Sequence, residues 1–369
     1  MIKNIGWTLG NACPCNCKHC YSLQVRERGQ NLDIKKIDRI IEQILKLDVE
    51  TVNFGGNEPI FTNGLDAKKS LLPYIIKKLS NLGIKTGITT SGISLINLKQ
   101  HFPETLELLN DVDVSIDSPI ETEHNKNRGQ NTFKLAIKAL NICNEYSIDC
   151  SVVMCAMNWN FYPEKIMKLL ELVKKYNANI RINMLKPTEK AHLALMPSKK
   201  QIIEGYKILI NSCYTLDMSD PILAAKFSND HIKGCSCGIS SLRINGITAE
   251  GKVPVSPCVY MHHFQVGDLL KDDILDIINS EKFKSFKERN TNYHKIEECK
   301  DCDRKDVCRG GCAASAYWYN YHVNDEKNMY KKDPYCFYEQ TDTLPKPEFR
   351  KSECLVHQDY LCTWIGKIK

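Results

Sequence analysis

The feature that most constrains this chain is a regular alternation of short apolar stretches with longer helical patterns through its first half. Residues 5–9, Ile-Gly-Trp-Thr-Leu, read as a buried strand. Asp33 stands where it would cap a helix whose apolar positions Ile37, Ile40, Ile41, Ile44 and Leu47 recur at helical spacing. Residues 51–54 form the next strand pattern, and the alternation continues with helix 71–82, strand 84–88, helix 95–109 and strand 111–116. Helix 132–146, strand 150–155, helix 163–176 and strand 179–185 complete it. Six such β/α units call for a parallel sheet with helices outside, since parallel neighbours need crossover connections. The expected fold class is α/β, the sheet open or curled into a partial (β/α)6 TIM-like barrel.

In such sheets ligands sit at the carboxyl ends of the strands. Four polar segments fall there: the loop 11–21 after the first strand, Gly55-Gly56-Asn57-Glu58-Pro59 after the second, Thr89-Thr90-Ser91-Gly92 after the third, and Ser115-Ile116-Asp117 at the fourth. One site can hold all four. The first segment contains Cys13, Cys17 and Cys20 in the spacing CxxxCxxC, followed by Tyr21. Three thiolates suit one metal centre and leave a fourth coordination position open to chemistry. Thiolate selects iron–sulfur clusters, zinc or cuprous ion, so context must choose.

Composition narrows the context. The chain has 18 cysteines among 369 residues and no export signal at its start, which in a reducing cytosol favours metal ligands over disulfides. No apolar run approaches the roughly 20 residues that span a bilayer, so the cytoplasm is the expected compartment and no membrane partner is expected. The net charge of +6 is spread along the chain, which gives no nucleic-acid footprint.

Beyond a connector at 187–199 and a helix expected from 200 to about 216, periodicity weakens while cysteines multiply: Cys235, Cys237, Cys258, Cys299, Cys302, Cys308, Cys312 and Cys336. A loop-rich region with so many thiols is expected to fold around metal. Cys143, Cys150, Cys155 and Cys213 fall on strand or helix patterns and are read as small core residues. Cys354 and Cys362 are unassigned, and residues 350–369 read as a terminal tail.

The CxxxCxxC loop after the first strand, with Gly-Gly-Asn-Glu-Pro after the second, resembles the radical SAM enzymes. The resemblance implies that Cys13, Cys17 and Cys20 hold a [4Fe-4S] cluster whose open iron binds S-adenosylmethionine, with Tyr21 packing on adenine. Gly55, Gly56, Asn57 and Glu58 would hold the methionine amino group. Asn57 stands where a glycine is usual and is expected to tolerate a left-handed backbone there. The bland reading of this segment is an ordinary βα turn. Ser91, Ser115 and Arg128 would reach the methionine and ribose, Arg128 through a bidentate carboxylate contact, against the alternative of a solvated arginine at a helix entry. The backbone at 185–187 would flank adenine. Cys15 is read as a bystander.

The run Cys299-x2-Cys302-x5-Cys308-x3-Cys312 with Cys336, preceded by Cys237 and Cys258, resembles the SPASM extension of these enzymes. That implies two auxiliary [4Fe-4S] clusters, one on Cys299, Cys302, Cys308 and Cys336, the other on Cys237, Cys258 and Cys312 with Cys235 as a further candidate. Zinc is the competing reading of Cys299–Cys312. The expected organisation is a radical SAM partial barrel at 1–190, a helical connector at 191–234, a cysteine-rich SPASM domain at 235–340 and a tail at 341–369.

What the resemblance implies is a 5′-deoxyadenosyl radical that modifies a ribosomally made precursor peptide by crosslinking, epimerisation or excision of a tyrosine-derived backbone unit. The wording around Phe54 to Phe61 resembles maturases of Nif11-type precursors. A sulfatase-maturing enzyme that forms formylglycine is the alternative, and a zinc-bound scaffold a more distant one. The cluster loop begins at Cys13, so a leader peptide would be recognised by a separate small protein. A flavodoxin or ferredoxin would supply electrons.

Overall fold

The computed structural model describes residues 2–23, 31–227, 233–337 and 363–368. Six strands follow one another in space as in sequence: β1 (Asn4–Trp7), β2 (Thr51–Phe54), β3 (Lys85–Thr90), β4 (Asp111–Ser115), β5 (Cys150–Ala156) and β6 (Asn179–Met184). Each pairs in parallel with its neighbour. The first of the helices between them, α1 (Ile34–Ile44), begins where Asp33 accepts a hydrogen bond from the Lys36 amide, and it buries Ile37, Ile40, Ile41 and Ile44 on the sheet. Its equivalents are α2 (Leu72–Asn81), α3 (Ile93–His101), α5 (Thr132–Glu145) and α6 (Pro163–Lys175). The expected β/α series is therefore present, as a mixed α/β fold with a partial barrel-like parallel sheet.

Three departures from the sequence reading matter for the site. A short helix, α4 (Glu121–Arg128), lies between β4 and α5; its sequence Glu-Thr-Glu-His-Asn-Lys-Asn-Arg has no apolar stripe to announce it. The helix that starts near Lys200 is α7 (Lys199–Asn211), and it stops before Cys213, where β7 (Cys213–Met218) begins. Finally, the terminal segment supplies β10 (Thr363–Ile368), inserted between β6 and β7 and antiparallel to both. A Gly in a six-residue strand far from its partners leaves no local signal. Ile365 is nonetheless fully buried and Thr363 is 3.0 Å from the Tyr206 hydroxyl. Cys354 and Cys362 lie outside the described residues.

At the other edge β8 (Ser241–Ile244) pairs in parallel with β1, placing Arg243 beside Gly6, and β9 (Val255–Ser256) pairs antiparallel with β8. The cysteine-rich half thus extends the barrel sheet directly. It also has a small core of its own, in which Cys258, Met261, Phe286, Cys312, Tyr317 and Trp318 pack together. Its helices include α8 (Ile274–Asn279) and α9 (Glu281–Glu288), separated at Ser280, which caps the second, and α10 (Ala313–Asn324).

Candidate active site

The loop after β1 is held from three sides. The amides of Asn16 and Lys18 donate to the carbonyls of Arg128 and Asn127 at the end of α4 (3.2 and 3.1 Å). Asn57 donates to the Gly10 carbonyl, and Ser22 donates to the Gly56 carbonyl at 2.5 Å while sitting 3.3 Å from the Cys20 sulfur. Asn11 reaches the Ile247 carbonyl in the cysteine-rich half at 2.9 Å. Cys13, Cys17, Cys20 and Tyr21 then face a cavity of about 240 Å3, whose wall also includes Gly55, Gly56, Asn57, Glu58, Ser91, Ser115 and Arg128. All four strand-end segments meet there. Cys15 faces it as well; it is buried, and hydrogen bonding with Cys13 and Cys17 pushes its thiol far above the usual range.

The turn after β2 works differently from expectation. Gly56, not Asn57, takes the left-handed backbone, with φ of 96°, and a β-carbon there would come within 2.3 Å of Arg243 Nη2. Glu58 does not present its carboxylate to the cavity as a free acceptor. It receives the Ser91 amide (3.0 Å) and hydroxyl (2.7 Å) on one oxygen, and the Ser94 amide (2.9 Å) with the Thr90 hydroxyl on the other. Glu58 therefore clamps the β2 and β3 turns together. Glu58→Gln, which turns an NH2 toward those donors, is expected to lower stability by about 1–3 kcal/mol. Urea titration reads this, and an unchanged midpoint would exclude the clamp.

Arg128 ends α4 instead of starting a helix. Its fork is closed on Asp117, Nε to Oδ2 at 2.5 Å and Nη2 to Oδ1 at 3.2 Å, which leaves Nη1 directed at the Cys17 sulfur, 3.9 Å away. The bidentate carboxylate contact that the sequence offered to a ligand is thus made within the protein. Asp117 is fully buried and also accepts from Asn127 Nδ2 (2.8 Å) and the Cys155 amide (3.1 Å). Burial alone would raise its carboxyl, but the charges of Arg128 and then His19 outweigh this and hold it well below the usual carboxylate range. His19, inside the cysteine loop, is lowered to about 4 chiefly by burial, so it is neutral at pH 7.

Several cavity side chains, that of Lys186 in a stretch read only for its backbone among them, carried no signal in the sequence. Arg243 arrives on β8 and reaches Thr8 and the Gly55 carbonyl. Arg181 pairs with Asp113 at 2.8 Å and lies 3.4 Å from Asp111. Lys186, just past β6, is 4% exposed, and Tyr260 sets its ring against Tyr21 edge-on, 4.9 Å between centroids. Cys143 and Cys150 are core residues as expected, but Cys155 is not: it lines the cavity.

The distal cysteines fall into two groups. Cys237 and Cys258 line the same cavity as the first loop. Cys235 and Cys258 lie near enough to Cys237 to push its thiol upward, and Cys312 is close enough to feel Cys235 and Cys258 electrostatically. Cys302, Cys308 and Cys336 surround a separate cavity with Lys226 and Arg304, and Cys299 feels the charges of Cys336 and Cys302. Among the described residues no three Cys, His, Asp or Glu side chains already converge as around a single bound ion. The fit to clusters therefore rests on the thiol sets and their placement.

Comparison with known proteins decides the family. The Radical SAM superfamily matches residues 7–173, and the iron–sulfur cluster-binding SPASM domain matches residues 235–303. The chain carries a radical SAM domain and a SPASM domain. Like other radical SAM proteins it is built to use S-adenosylmethionine and iron–sulfur clusters. Mycofactocin maturase MftC of Mycolicibacterium smegmatis is 24% identical over 332 residues, covering 85% of this chain and 78% of the relative. The cysteine-type anaerobic sulfatase-maturating enzyme of Clostridium perfringens is 22% identical over 361 residues, 87% of this chain and 93% of the relative. Among solved structures, Streptococcus suis SuiB bound to its precursor peptide SuiA shares the fold, with a TM-score of 0.65 and 16% identity over 91% of this chain and 76% of that one. No helix among the described residues is long and apolar enough to cross a membrane.

Proposed function

We propose that this radical SAM/SPASM protein modifies a ribosomally made precursor peptide by removing a hydrogen atom from it. The observation that carries the reading is the shared cavity: Cys13, Cys17 and Cys20 line it together with Cys237 and Cys258, so two thiol sets face one space. Cys13, Cys17 and Cys20 would hold the cluster that binds S-adenosylmethionine. Tyr21, Gly55, Gly56, Asn57, Ser91, Ser115 and Arg128 would line its bed, and Glu58 would hold that bed in shape. Cys299, Cys302, Cys308 and Cys336 would hold one auxiliary cluster, and Cys237, Cys258, Cys312 and Cys235 the other. When bound, the reduced cluster and S-adenosylmethionine supply the power to break an unactivated C–H bond.

The chain's own residues supply position and exclusion. Asp117 keeps Arg128 against the cysteine loop, and the Tyr21–Tyr260 ring contact joins that loop to the cysteine-rich half at the cavity. A precursor peptide is favoured as substrate by the names of two similar proteins, a mycofactocin maturase and SuiB with its peptide. The sulfatase-maturing relative keeps formylglycine formation in view. That reaction needs a carboxylate base at the substrate, and the cavity carboxylates Glu58 and Asp113 are already engaged by the β3 turn and by Arg181. A separate leader-binding protein and a flavodoxin or ferredoxin donor complete the proposal.

Anaerobic purification tests it: brown protein with about twelve irons per chain is expected for three four-iron clusters, whereas colourless zinc protein would overturn it. Co-expression with small open reading frames encoded beside it, followed by mass spectrometry, identifies the reaction. A loss of two hydrogens marks a crosslink, an unchanged mass an epimerisation, and a large loss an excision.

A further inference from the structure

Arg289 stands just past the end of α9 and is 1% exposed. Each of its N–H groups donates to a backbone carbonyl: Nε to Met329 (2.5 Å), Nη1 to Arg309 (3.4 Å) and Gly311 (3.1 Å), Nη2 to Gly310 (2.9 Å) and Lys331 (3.2 Å). Among the described residues no carboxylate pairs with it. The hydrogen bonding of this side chain is complete, while its charge is met only by carbonyl dipoles. A buried guanidinium without a counter-charge is costly, so the fold around it calls for an anion.

The carbonyls that hold Arg289 say where that anion belongs. Arg309, Gly310 and Gly311 are the residues between Cys308 and Cys312, one cysteine from each distal thiol set. All three take left-handed backbone, with φ of 49°, 77° and 74°, and their carbonyls converge on the one guanidinium. The next residue extends the hold: Asn290 Oδ1 receives the Cys235 amide at 3.2 Å, and its Nδ2 donates to the Lys233 carbonyl at 3.1 Å. Residues 289 and 290 thus tie together the segments that carry Cys235, Cys308 and Cys312.

Electrostatics agree with this placement. Burial pulls the guanidinium down from its usual range, and the charges of Cys235, Cys312, Asp333 and Cys299, in falling order, oppose it. Asp333 is the carboxylate of that group, and its oxygens already receive the amides of Tyr335 (2.9 Å) and Cys312 (2.8 Å). Cysteines of both distal sets therefore lie within electrostatic reach of one fixed cation.

We propose that Arg289 is a positioning residue that acts as the shared counter-charge of the two auxiliary iron–sulfur sites, one on Cys299, Cys302, Cys308 and Cys336 and the other on Cys235, Cys237, Cys258 and Cys312, and makes both easier to reduce. This rests on the cluster reading above. Filling either site with a four-iron cluster on thiolates puts net negative charge near Arg289, and reduction by one electron adds another negative charge. A cation fixed in a buried region offsets the reduced form more than the oxidised one, which raises the potential. The cage of carbonyls keeps the cation in place without neutralising it, as a paired carboxylate would.

Two substitutions separate charge from hydrogen bonding: Arg289→Lys keeps the charge, and Arg289→Gln keeps an NH2 donor without it. Wild type and both variants are purified anaerobically with their clusters, iron per chain is measured, and the auxiliary EPR signals are titrated with dithionite. Midpoints in Arg289→Lys are expected near those of wild type. In Arg289→Gln both auxiliary midpoints are expected to fall, the larger shift by about 59 mV, a tenfold change in the ratio of oxidised to reduced cluster. Loss of auxiliary iron from Arg289→Gln with retention in Arg289→Lys would equally support the charge. Midpoints that match in the two variants would overturn the proposal, as would equal loss of auxiliary iron from both, because hydrogen bonding alone would then account for the residue. A fall in one signal alone would overturn the shared role. Wild type without auxiliary signals would overturn the cluster reading and this proposal with it.

Discussion

Replacing Cys13, Cys17 and Cys20 together by alanine is expected to abolish reductive cleavage of S-adenosylmethionine while about eight of about twelve irons, and the visible absorption of the auxiliary clusters, remain. The expectation follows from how the cysteines are distributed. These three sit on one loop, fixed by Asn16 and Lys18 to the end of α4 and by Asn57 to Gly10. The cysteines at 299, 302, 308 and 336 surround another cavity on different elements. Removing one set should leave the second pocket folded. Of the other set, Cys237 and Cys258 line the first cavity, but Cys237, Cys258 and Cys312 are anchored in the separate small core around Trp318 and Phe286. Loss of all iron in the triple variant would mean that the loop and the SPASM region load as one unit. Retained 5′-deoxyadenosine formation would rule out the loop as the cluster site.

Asp117→Ala is expected to be the most damaging single substitution around the cavity, destabilising the protein by about 3–5 kcal/mol. The carboxylate is fully buried and receives Arg128 on both oxygens, Asn127 Nδ2 and the Cys155 amide. Its loss leaves a largely buried guanidinium without a counter-charge, along with two orphaned donors. Removing both charges, as Asp117→Ala with Arg128→Met, should recover part of the loss, because the greater cost lies in the unpaired charge. A double variant no more stable than the single one would argue against this account.

The pH dependence has a definite sign. The carboxyl of Asp117 is held lower in the folded chain than its unfolded value of about 3.9, so its stabilising contribution is full above that value. It is lost as pH falls through the depressed folded value. Thermal melts should therefore show the widest gap between wild type and Asp117→Ala near neutrality, closing in acid. A gap that widens in acid would contradict the assignment of Asp117 as an ionised partner of Arg128.

Much of the scaffold was legible because its signals are local. Helix α1 could be read from Asp33 and four isoleucines at helical spacing, and the buried strands from short β-branched runs bounded by turns. The CxxxCxxC loop is legible for the same reason, as three ligands must lie close in sequence to wrap one side of a cluster. What escaped was non-local. Strand β10 has meaning only through β6 and β7, more than a hundred residues away. Helix α4 carries no apolar periodicity, since it is held by its ends: Asn127 and Arg128 against the cysteine loop, Glu123 against Lys165. The helix read past Cys213 failed because its apolar residues continue through 216 as a strand with the same composition.

The carboxylates show the same division within the site. Glu58 and Asp117 could both be picked out as polar residues at strand ends, but their roles depend on partners. Glu58 turns inward to Thr90, Ser91 and Ser94, and Asp117 consumes the fork of Arg128. For Cys155 the sequence offered only a cysteine on a strand. A shift of one residue exchanges core for cavity, and nothing but the register of β5 within the sheet determines the face on which a side chain falls.

By itself, then, the sequence determined the β/α order of the barrel, the cysteine loop at the end of its first strand and the two distal thiol arrays, because spacing and periodicity are local properties of a chain. The tertiary structure alone decided that Cys237 and Cys258 share the cavity of the cysteine loop with Lys186, Arg243 and Cys155, that Gly56 carries the left-handed turn, and that the charges of Glu58, Asp117 and Arg128 are met within the protein. Those outcomes depend on which groups meet across the sheet, and electrostatic and hydrogen-bond partnerships are set by distance in space.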